Sequence, residues 1–309
     1  MEAQKNDRRS FSIPLRVRVP GSTSNLGTGF DCLGLALDLG LEVRLCGPAR
    51  GAHEVLRTGE GANVSFGPDE DLFLFGFERG RELTPFEGFF RFEIHSEIPM
   101  GRGLGSSAAA LGAGLLLARA IARPGEAVEK TRSELTAEAS RIEGHPDNAS
   151  AALYGGCTLG LPLDDGSVRL LFPEISPELG LIVCWPDSSF STHTSRELLP
   201  AEVPFADAVE NPRRLAFLLE GLRTANPEWI RIGIEDRLHV PYRLAVLEEA
   251  KHAIQSALAA GAWGATLSGA GSGIVVLCQR SEARKIARAL PENQTRHVVS
   301  TGIGPRVES

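Results

Sequence analysis

The chain has 309 residues, 42% of them hydrophobic, enough for two domains of ordinary size with a sizeable core. Its formal net charge of −7, with no long run of one sign, argues against a strongly basic surface for nucleic acid or anionic lipid. Five scattered cysteines (Cys32, Cys46, Cys157, Cys184, Cys278) with no Cys-x-x-Cys read as buried thiols of a reducing compartment. The longest apolar stretch, after Ser107, is too short and too rich in Gly and Ala for a membrane span. The first eleven residues are polar and carry no apolar signal core, so a soluble cytoplasmic protein is the expectation.

Residues 15–19 alternate apolar and polar and predict a strand. It runs into Pro20-Gly-Ser-Thr-Ser-Asn-Leu-Gly-Thr-Gly-Phe-Asp31, a predicted loop dense in turn formers. Residues 33–37 and 41–45 read as paired strands, and residues 47–71 as loops and short strands. Asp71 is a predicted N-cap for a helix from residue 72. The alternation of Phe90-Arg-Phe-Glu-Ile-His-Ser-Glu-Ile98 is a half-buried strand. After it comes Pro99-Met-Gly-Arg-Gly-Leu-Gly-Ser-Ser-Ala-Ala-Ala110, then an apolar run to residue 123 that reads as a buried helix.

Strand, glycine loop and helix in that order make an anion site. The helix N-terminus offers unpaired N–H groups and partial positive charge, and glycines let the backbone close on a phosphate. Ser106 and Ser107 can bind phosphate oxygens or a metal. The spacing of Gly101, Gly103 and Gly105 matches neither Gly-x-x-x-x-Gly-Lys-Ser/Thr nor Gly-x-Gly-x-x-Gly. It therefore points to a nucleotide site of another kind, with a tight turn as the structural alternative. A branched side chain at Gly105 is expected to block the nucleotide and, if the loop is exposed, to spare the fold.

Residues 126–143 have helical spacing and end at Gly144, a natural C-cap. Glu143-Gly-His-Pro-Asp-Asn-Ala149 then gathers groups able to bond or ionise, as a site or as a polar interhelix turn. Beyond it, residues 155–161 return to strand, 179–185 form a continuous apolar strand, and helical patterns fill 205–224 and 243–260. Residues 264–277 read as strand, glycine turn, strand; 281–290 as a helix; 296–300 as a last strand. Alternating strands and helices suggest a small α+β domain.

Three motifs in this order resemble the GHMP kinase superfamily, which phosphorylates galactose, homoserine, mevalonate and phosphomevalonate. They are Ser24-Asn-Leu-Gly-Thr-Gly-Phe-Asp31, Pro99-x-x-x-Gly-Leu-Gly-Ser-Ser-Ala108 and Leu267-Ser-Gly-Ala-Gly271. Gly29-Phe-Asp-Cys-Leu-Gly-Leu-Ala-Leu37, Glu143-Gly-His-Pro-Asp-Asn148 and Pro241-Tyr-Arg243 are similar to hallmarks of its homoserine kinase branch.

The resemblance implies an α+β fold of two domains, an N-terminal ATP-binding one over 12–172 (S5 domain 2-like) and a C-terminal one over 173–309 (ferredoxin-like), with the active site in the cleft between them. It implies ATP with Mg²⁺ and transfer of the γ-phosphoryl group to the side-chain hydroxyl of L-homoserine, a step of threonine biosynthesis. Carried over by position, Pro99, Gly101, Arg102, Gly103, Leu104, Gly105, Ser106 and Ser107 wrap the triphosphate. Ser106 or Ser107 with Glu143 or Glu138 would hold Mg²⁺, Glu143 being favoured. Asn25, Asp31, His145 and Asn148 would line the homoserine pocket, Asn148 orienting the hydroxyl. Arg196 and Arg243 would take the carboxylate, which guanidinium forks bind bidentately. The catalytic candidates are Asn148, Arg196 and Asp147, the last a possible base or, alternatively, an N-cap. A homodimer is one option, and no nucleic-acid or membrane partner is expected. A kinase for mevalonate, shikimate or a sugar is the alternative reading, and a non-catalytic ligand sensor a more remote one.

Two departures from the family pattern matter. The third motif continues Gly269-Ala-Gly-Ser-Gly273 instead of Gly-Ala-Gly-Pro-Ser, which predicts a looser loop. Asp71 stands where an Asn often precedes the first helix, so an anion near the base is expected to weaken nucleotide binding or change base preference.

Overall fold

The computed structural model describes residues 15–67, 70–188, 190 and 192–308. The polar first eleven residues, the expected domain start at residue 12 and Ser191 lie outside the described residues.

The first sheet is built from β1 (Arg16–Asn25), β2 (Gly29–Ala49), β3 (Glu54–Gly59), β4 (Phe89–Ser96), β5 (Cys157–Pro162) and β6 (Val168–Leu171). Its helices are α1 (Leu72–Leu83), α2 (Ser106–Ala122), α3 (Arg132–Glu143) and α4 (Asp147–Tyr154). β1 is longer than the predicted strand. Pro20 lacks an N–H, but it sits at an irregularity where the β1–β2 register shifts, so the ladder resumes at Ser22. The two expected strands at 33–37 and 41–45 are one strand, β2. Both of its halves pair with β1 rather than with each other.

Helix α2 is buried along most of its length, as its apolar sequence requires. Asp71 caps α1 through a bond from the Leu74 N–H, 3.3 Å, and Gly144 closes α3 in a left-handed conformation. The helix expected from residue 126 begins at Arg132. Asp147 is not an N-cap: it is the first residue of α4, and Pro146 occupies the cap position.

The second sheet contains β7 (Leu179–Trp185), β8 (Gly264–Leu267), β9 (Ile274–Gln279) and β10 (Thr295–Val299), antiparallel in the order β10-β7-β9-β8. With the intervening helices this is the βαββαβ arrangement of a ferredoxin-like fold. β7 is apolar throughout because both of its faces are covered. Ile182 and Cys184 pack with Ala250 and Ala253 of α9 (Glu248–Ala259) and Ile286 of α10 (Ala283–Ala289). Leu181, Val183 and Trp185 join the main core with Leu218 and Leu222.

The connecting helices are α5 (Thr192–Glu197), α6 (Phe205–Thr224), α7 (Pro227–Gly233) and α8 (Val240–Leu244). The expected helix over 243–260 is thus two, α8 and α9. The chain then leaves the second sheet, and β11 (Arg306–Glu308) pairs with β1. The tail placed by sequence in the second domain thereby covers an edge that would otherwise expose unpaired backbone groups. All five cysteines are free thiols; Cys157, Cys184 and Cys278 are buried as expected, whereas Cys32 and Cys46 are only partly buried.

Candidate active site

A cleft of about 460 Å³ runs between the two sheets. One wall is the loop from β4 to α2. Gly101, Gly103 and Gly105 all have left-handed backbone, with φ of 66°, 72° and 70°. Gly105 immediately precedes α2 and offers no capping side chain, so the first N–H groups of the helix are left for a ligand.

The loop is keyed into its surroundings. A Cβ on Gly103 would lie 1.8 Å from the Ser268 carbonyl oxygen, and one on Gly105 would lie 2.2 Å from the Ser22 hydroxyl and 2.9 Å from its nitrogen. Ser268 Oγ donates to the Gly103 carbonyl, 2.7 Å. The exposed loop on which a side chain at Gly105 would spare the fold is not found, because that glycine is buried against Ser22. Nor is the third-motif loop slack at Gly273, where a Cβ would lie 2.5 Å from the Arg102 carbonyl oxygen. Ser272 Oγ also ties that loop to the Ser188 carbonyl, 3.0 Å. Pro99, Gly101, Gly103, Leu104, Gly105, Ser106 and Ser107 line the cleft. Arg102 does not: its guanidinium turns to the carbonyls of Met100, Gly101 and Asp187.

Of the two candidate glutamates, Glu143 reaches the loop. It accepts from Ser107 Oγ at 2.9 Å, while its Oε2 is buried without a partner. Burial pushes its pKa up to about 7, although the charge of His145 and the Ser107 bond oppose this. A buried, unpaired carboxylate oxygen beside the Ser107 hydroxyl fits a hard divalent cation such as Mg²⁺. Glu138 is not brought to the cleft. It pairs with Arg79 at 2.6 Å and Arg141 at 2.7 Å.

The other end of the cleft collects the remaining residues. Asn25, at φ 70°, accepts from the Asp31 N–H at 2.9 Å and donates to the Gly269 carbonyl at 3.1 Å. Asp31, at φ 55°, is held by both terminal nitrogens of Arg196, 3.0 Å each. Arg243 is buried, 2% exposed, yet its side chain reaches the cleft lining. Burial pulls its pKa down to about 10, against the charge of Asp31, so it stays a cation at neutral pH. Phe30 lies beneath both guanidiniums, at 5.4 Å from Arg243 and 5.8 Å from Arg196.

Asp147 Oδ1 accepts from His145 Nδ1 and from the Asn148 N–H, both at 2.6 Å. Burial disfavours the His145 cation, but the bond and charge of Asp147 outweigh it and raise the pKa to about 9. Asp31, His145 and Asp147 place ligating atoms within 4.8 Å of one another. The Asn148 amide is fixed from both sides: Ser22 Oγ donates to its Oδ1 at 2.8 Å, and its Nδ2 donates to Ser24 Oγ at 3.1 Å.

Sequence reading missed several residues. Arg57 pairs with Asp71 at 2.5 Å and stacks on Phe66 at 4.5 Å, at the end of the cleft beyond the glycine loop. The charge of Asp71 is thus met by a cation. No local pattern marks Arg57 or Phe66. His239 stands one helical turn before Arg243, a spacing at which side chains meet, and that signal was readable.

The two halves match known family models: GHMP kinases N terminal domain over residues 74–156 and GHMP kinases C terminal over 218–295. A homoserine kinase from Synechococcus sp. (strain RCC307) is 36% identical over 288 residues, covering 92% of this chain and 90% of the relative. One from Thermosynechococcus vestitus is 38% identical over 89% of this chain and 90% of the relative. Among solved structures, the homoserine kinase of Cytophaga hutchinsonii superposes with a TM-score of 0.84 over 97% of this chain and 99% of that one, at 24% identity. The chain belongs to the GHMP kinases, and its fold is the two-domain fold of that family.

Proposed function

We propose that this chain transfers the γ-phosphoryl group of ATP to the side-chain hydroxyl of L-homoserine, giving O-phospho-L-homoserine. The observation that carries this reading is the charge layout of the cleft. A helix N-terminus wrapped by glycines stands at one end, and Asp31 faces Arg196 and Arg243 at the other. That second set complements a zwitterion, with its ammonium on Asp31 and its carboxylate on the two arginines. A neutral sugar would leave those charges unmatched, and mevalonate has no ammonium for Asp31. The names of the relatives in the preceding section agree with this choice.

The loop from Gly101 to Ser107 holds the triphosphate. Glu143, with Ser107 and Ser106, would hold Mg²⁺, which neutralises charge on the β- and γ-phosphates when bound. Asn148, clamped by Ser22 and Ser24, orients the hydroxyl for in-line attack. Positioning and charge neutralisation suffice for this chemistry, so a strong base is not required. Asp147 holds His145 and the Asn148 backbone, and His145 lines the cleft as a cation. The site is that of a small-molecule enzyme. A cytoplasmic location accords with the free cysteines, and no helix among the described residues is long and apolar enough to cross a membrane.

The test is ADP release with Mg-ATP and a panel of L-homoserine, mevalonate, shikimate and galactose. Turnover with homoserine alone is expected. Turnover with another alcohol and none with homoserine would replace the substrate, and binding of ATP and homoserine without ADP release would make the protein a sensor.

A further inference from the structure

His239 is fully buried and does not line the cleft, yet it touches both sides of the zwitterion site. Its Nδ1 is 2.9 Å from Arg243 Nη1, and its Nε2 is 2.9 Å from the Gly27 carbonyl oxygen. Hydrogen-bond chemistry fixes the form of the ring. A guanidinium nitrogen only donates, so Nδ1 must accept; a carbonyl oxygen only accepts, so Nε2 must carry the hydrogen. Only the neutral imidazole with its hydrogen on Nε2 satisfies both, and a protonated ring would point an N–H at the Arg243 cation. Burial acts in the same direction and lowers the pKa.

The ring is itself fixed. Phe30 stacks on it, with centroids 4.8 Å apart, and the same phenyl ring lies under the two arginines. Asp236 fastens the backbone that carries it. Asp236 Oδ2 accepts the N–H groups of Leu238, His239 and Val240 at 3.1, 2.7 and 2.7 Å, while Oδ1 accepts from Asn211 Nδ2 at 2.8 Å. Gly27 lies in the segment that leads to Asp31, and Thr28 of that segment donates to the Gly233 carbonyl at 2.7 Å. One imidazole therefore joins the segment bearing the ammonium-binding carboxylate to the arginine facing the substrate carboxylate.

We infer that His239 is a positioning residue that orients Arg243 for the carboxylate of the acceptor and so selects an α-amino acid. This rests on the substrate reading above and deepens it. The Nδ1 acceptor relieves Arg243 of one donor in a fixed direction and leaves its other terminal nitrogen for the ligand. The Nε2 donor anchors the ring to the Gly27 carbonyl and so holds Nδ1 in place against Arg243. An acceptor lacking the carboxylate does not use Arg243, so its turnover does not depend on the imidazole acceptor.

The test uses two variants and two acceptors, L-homoserine and 3-aminopropanol, which is homoserine without its carboxylate. A glutamine amide can stand in for Nε2 and an asparagine oxygen for Nδ1. His239→Gln keeps the link to Gly27 and removes the shortest acceptor bond of Arg243, leaving Nη1 the Gly269 carbonyl at 3.3 Å and Nε the Ser195 carbonyl at 3.4 Å. It should raise KM for homoserine on the order of 10-fold, with KM for ATP and kcat/KM for 3-aminopropanol within about twofold of wild type. His239→Asn keeps the acceptor, and its KM for homoserine should stay near wild type while its melting temperature falls. In an Arg243→Lys background, His239→Gln should add nothing further. Equal losses on both acceptors, or an additive loss in the double variant, would overturn the inference and leave His239 a core residue. If His239→Gln does not fold, His239→Asn decides: a selective rise in KM for homoserine refutes the assigned role of Nδ1, and a KM near wild type upholds it. Failure of the substrate reading looks different, because wild type would then release no ADP with homoserine, or Arg243→Lys would leave its KM unchanged.

Discussion

Asp31 and Arg196 hold each other through two parallel 3.0 Å hydrogen bonds across the acceptor end of the cleft. Both are partly exposed, with relative side-chain exposures of 31% and 47%, so the pair adds little to stability. It does keep two opposite charges poised where a zwitterion can replace the contact with one of its own on each side. Asp31→Asn removes the partner of the ammonium and of Arg196. KM for homoserine should rise on the order of 10–100-fold, the loss expected for a charge-assisted bond, with KM for ATP unchanged. Steady-state kinetics with each substrate varied checks this, and an equal rise for ATP would place Asp31 elsewhere.

Gly105→Ala tests the cradle. The left-handed backbone alone costs about 1–2 kcal/mol with a side chain, and the new Cβ would press on Ser22. The variant should melt lower, by roughly 2–4 °C per kcal/mol in a chain of this size, and should bind ATP more weakly. Displacing Ser22 also disturbs the clamp on Asn148, so kcat should fall with it. Calorimetry together with nucleotide titration separates the effects. Unchanged melting would mean that the loop does not sit against Ser22.

The metal prediction is a ranking with a pH signature. Glu143→Gln should depress turnover by orders of magnitude, because it removes charge neutralisation at the phosphates. Glu138→Gln should leave the site intact and cost stability alone, since it breaks the pairs with Arg79 and Arg141. Burial holds the Glu143 pKa near 7 in the free protein. Between the ordinary carboxylate value of 4.5 and about 7 the folded state binds the extra proton, so this group's contribution to stability falls as pH rises through that window. Added Mg²⁺ should offset the fall by favouring the carboxylate, and its affinity should strengthen as pH rises through about 7. Thermal melts at pH 6 and pH 8 with and without Mg²⁺ read this directly. A Mg²⁺ response that persists in Glu143→Gln and disappears in Glu138→Gln would reverse the assignment.

His145 should titrate near pH 9 in the folded protein, well above its ordinary 6.5, because Asp147 stabilises the cation against the cost of burial. Its contribution to stability is complete below 6.5 and is lost as pH rises through about 9. Asp147→Asn should return the imidazole towards 6.5 and flatten that part of the stability curve. Carbon-13 NMR of labelled histidine measures the titration, and a wild-type value near 6.5 would refute the pairing.

Local sequence carried the parts of the site that depend on backbone type. The glycine loop, its serines and the Asp71 cap are chemically specific over a few residues, whereas the helix expected from 243 begins at Val240, with Pro241 and Tyr242 inside it. Choosing between Glu138 and Glu143 needed the direction each side chain takes from α3, which two nearby arginines settle for Glu138. Asp147 looks like a cap because it follows a proline at a helix start, but its carboxylate is taken by His145 and the Asn148 N–H. Arg57, Phe66 and β11 carry no local signature, since their roles come from partners that the fold alone brings near.

The contact between Gly103 and Ser268 bears on how such a protein can be recombined. One supplies an empty Cβ position and the other fills it with a carbonyl oxygen 1.8 Å from that point, while Gly273 receives the Arg102 carbonyl in the opposite sense. The N-terminal and C-terminal halves are therefore not interchangeable modules. A chimera that joins this N-terminal half to a C-terminal half with a bulkier residue in place of Gly273 would distort the phosphate loop, even if each half kept its own core. Any graft has to carry the residue 103–105 loop and the residue 268–273 turn together, as a single unit split across the sequence.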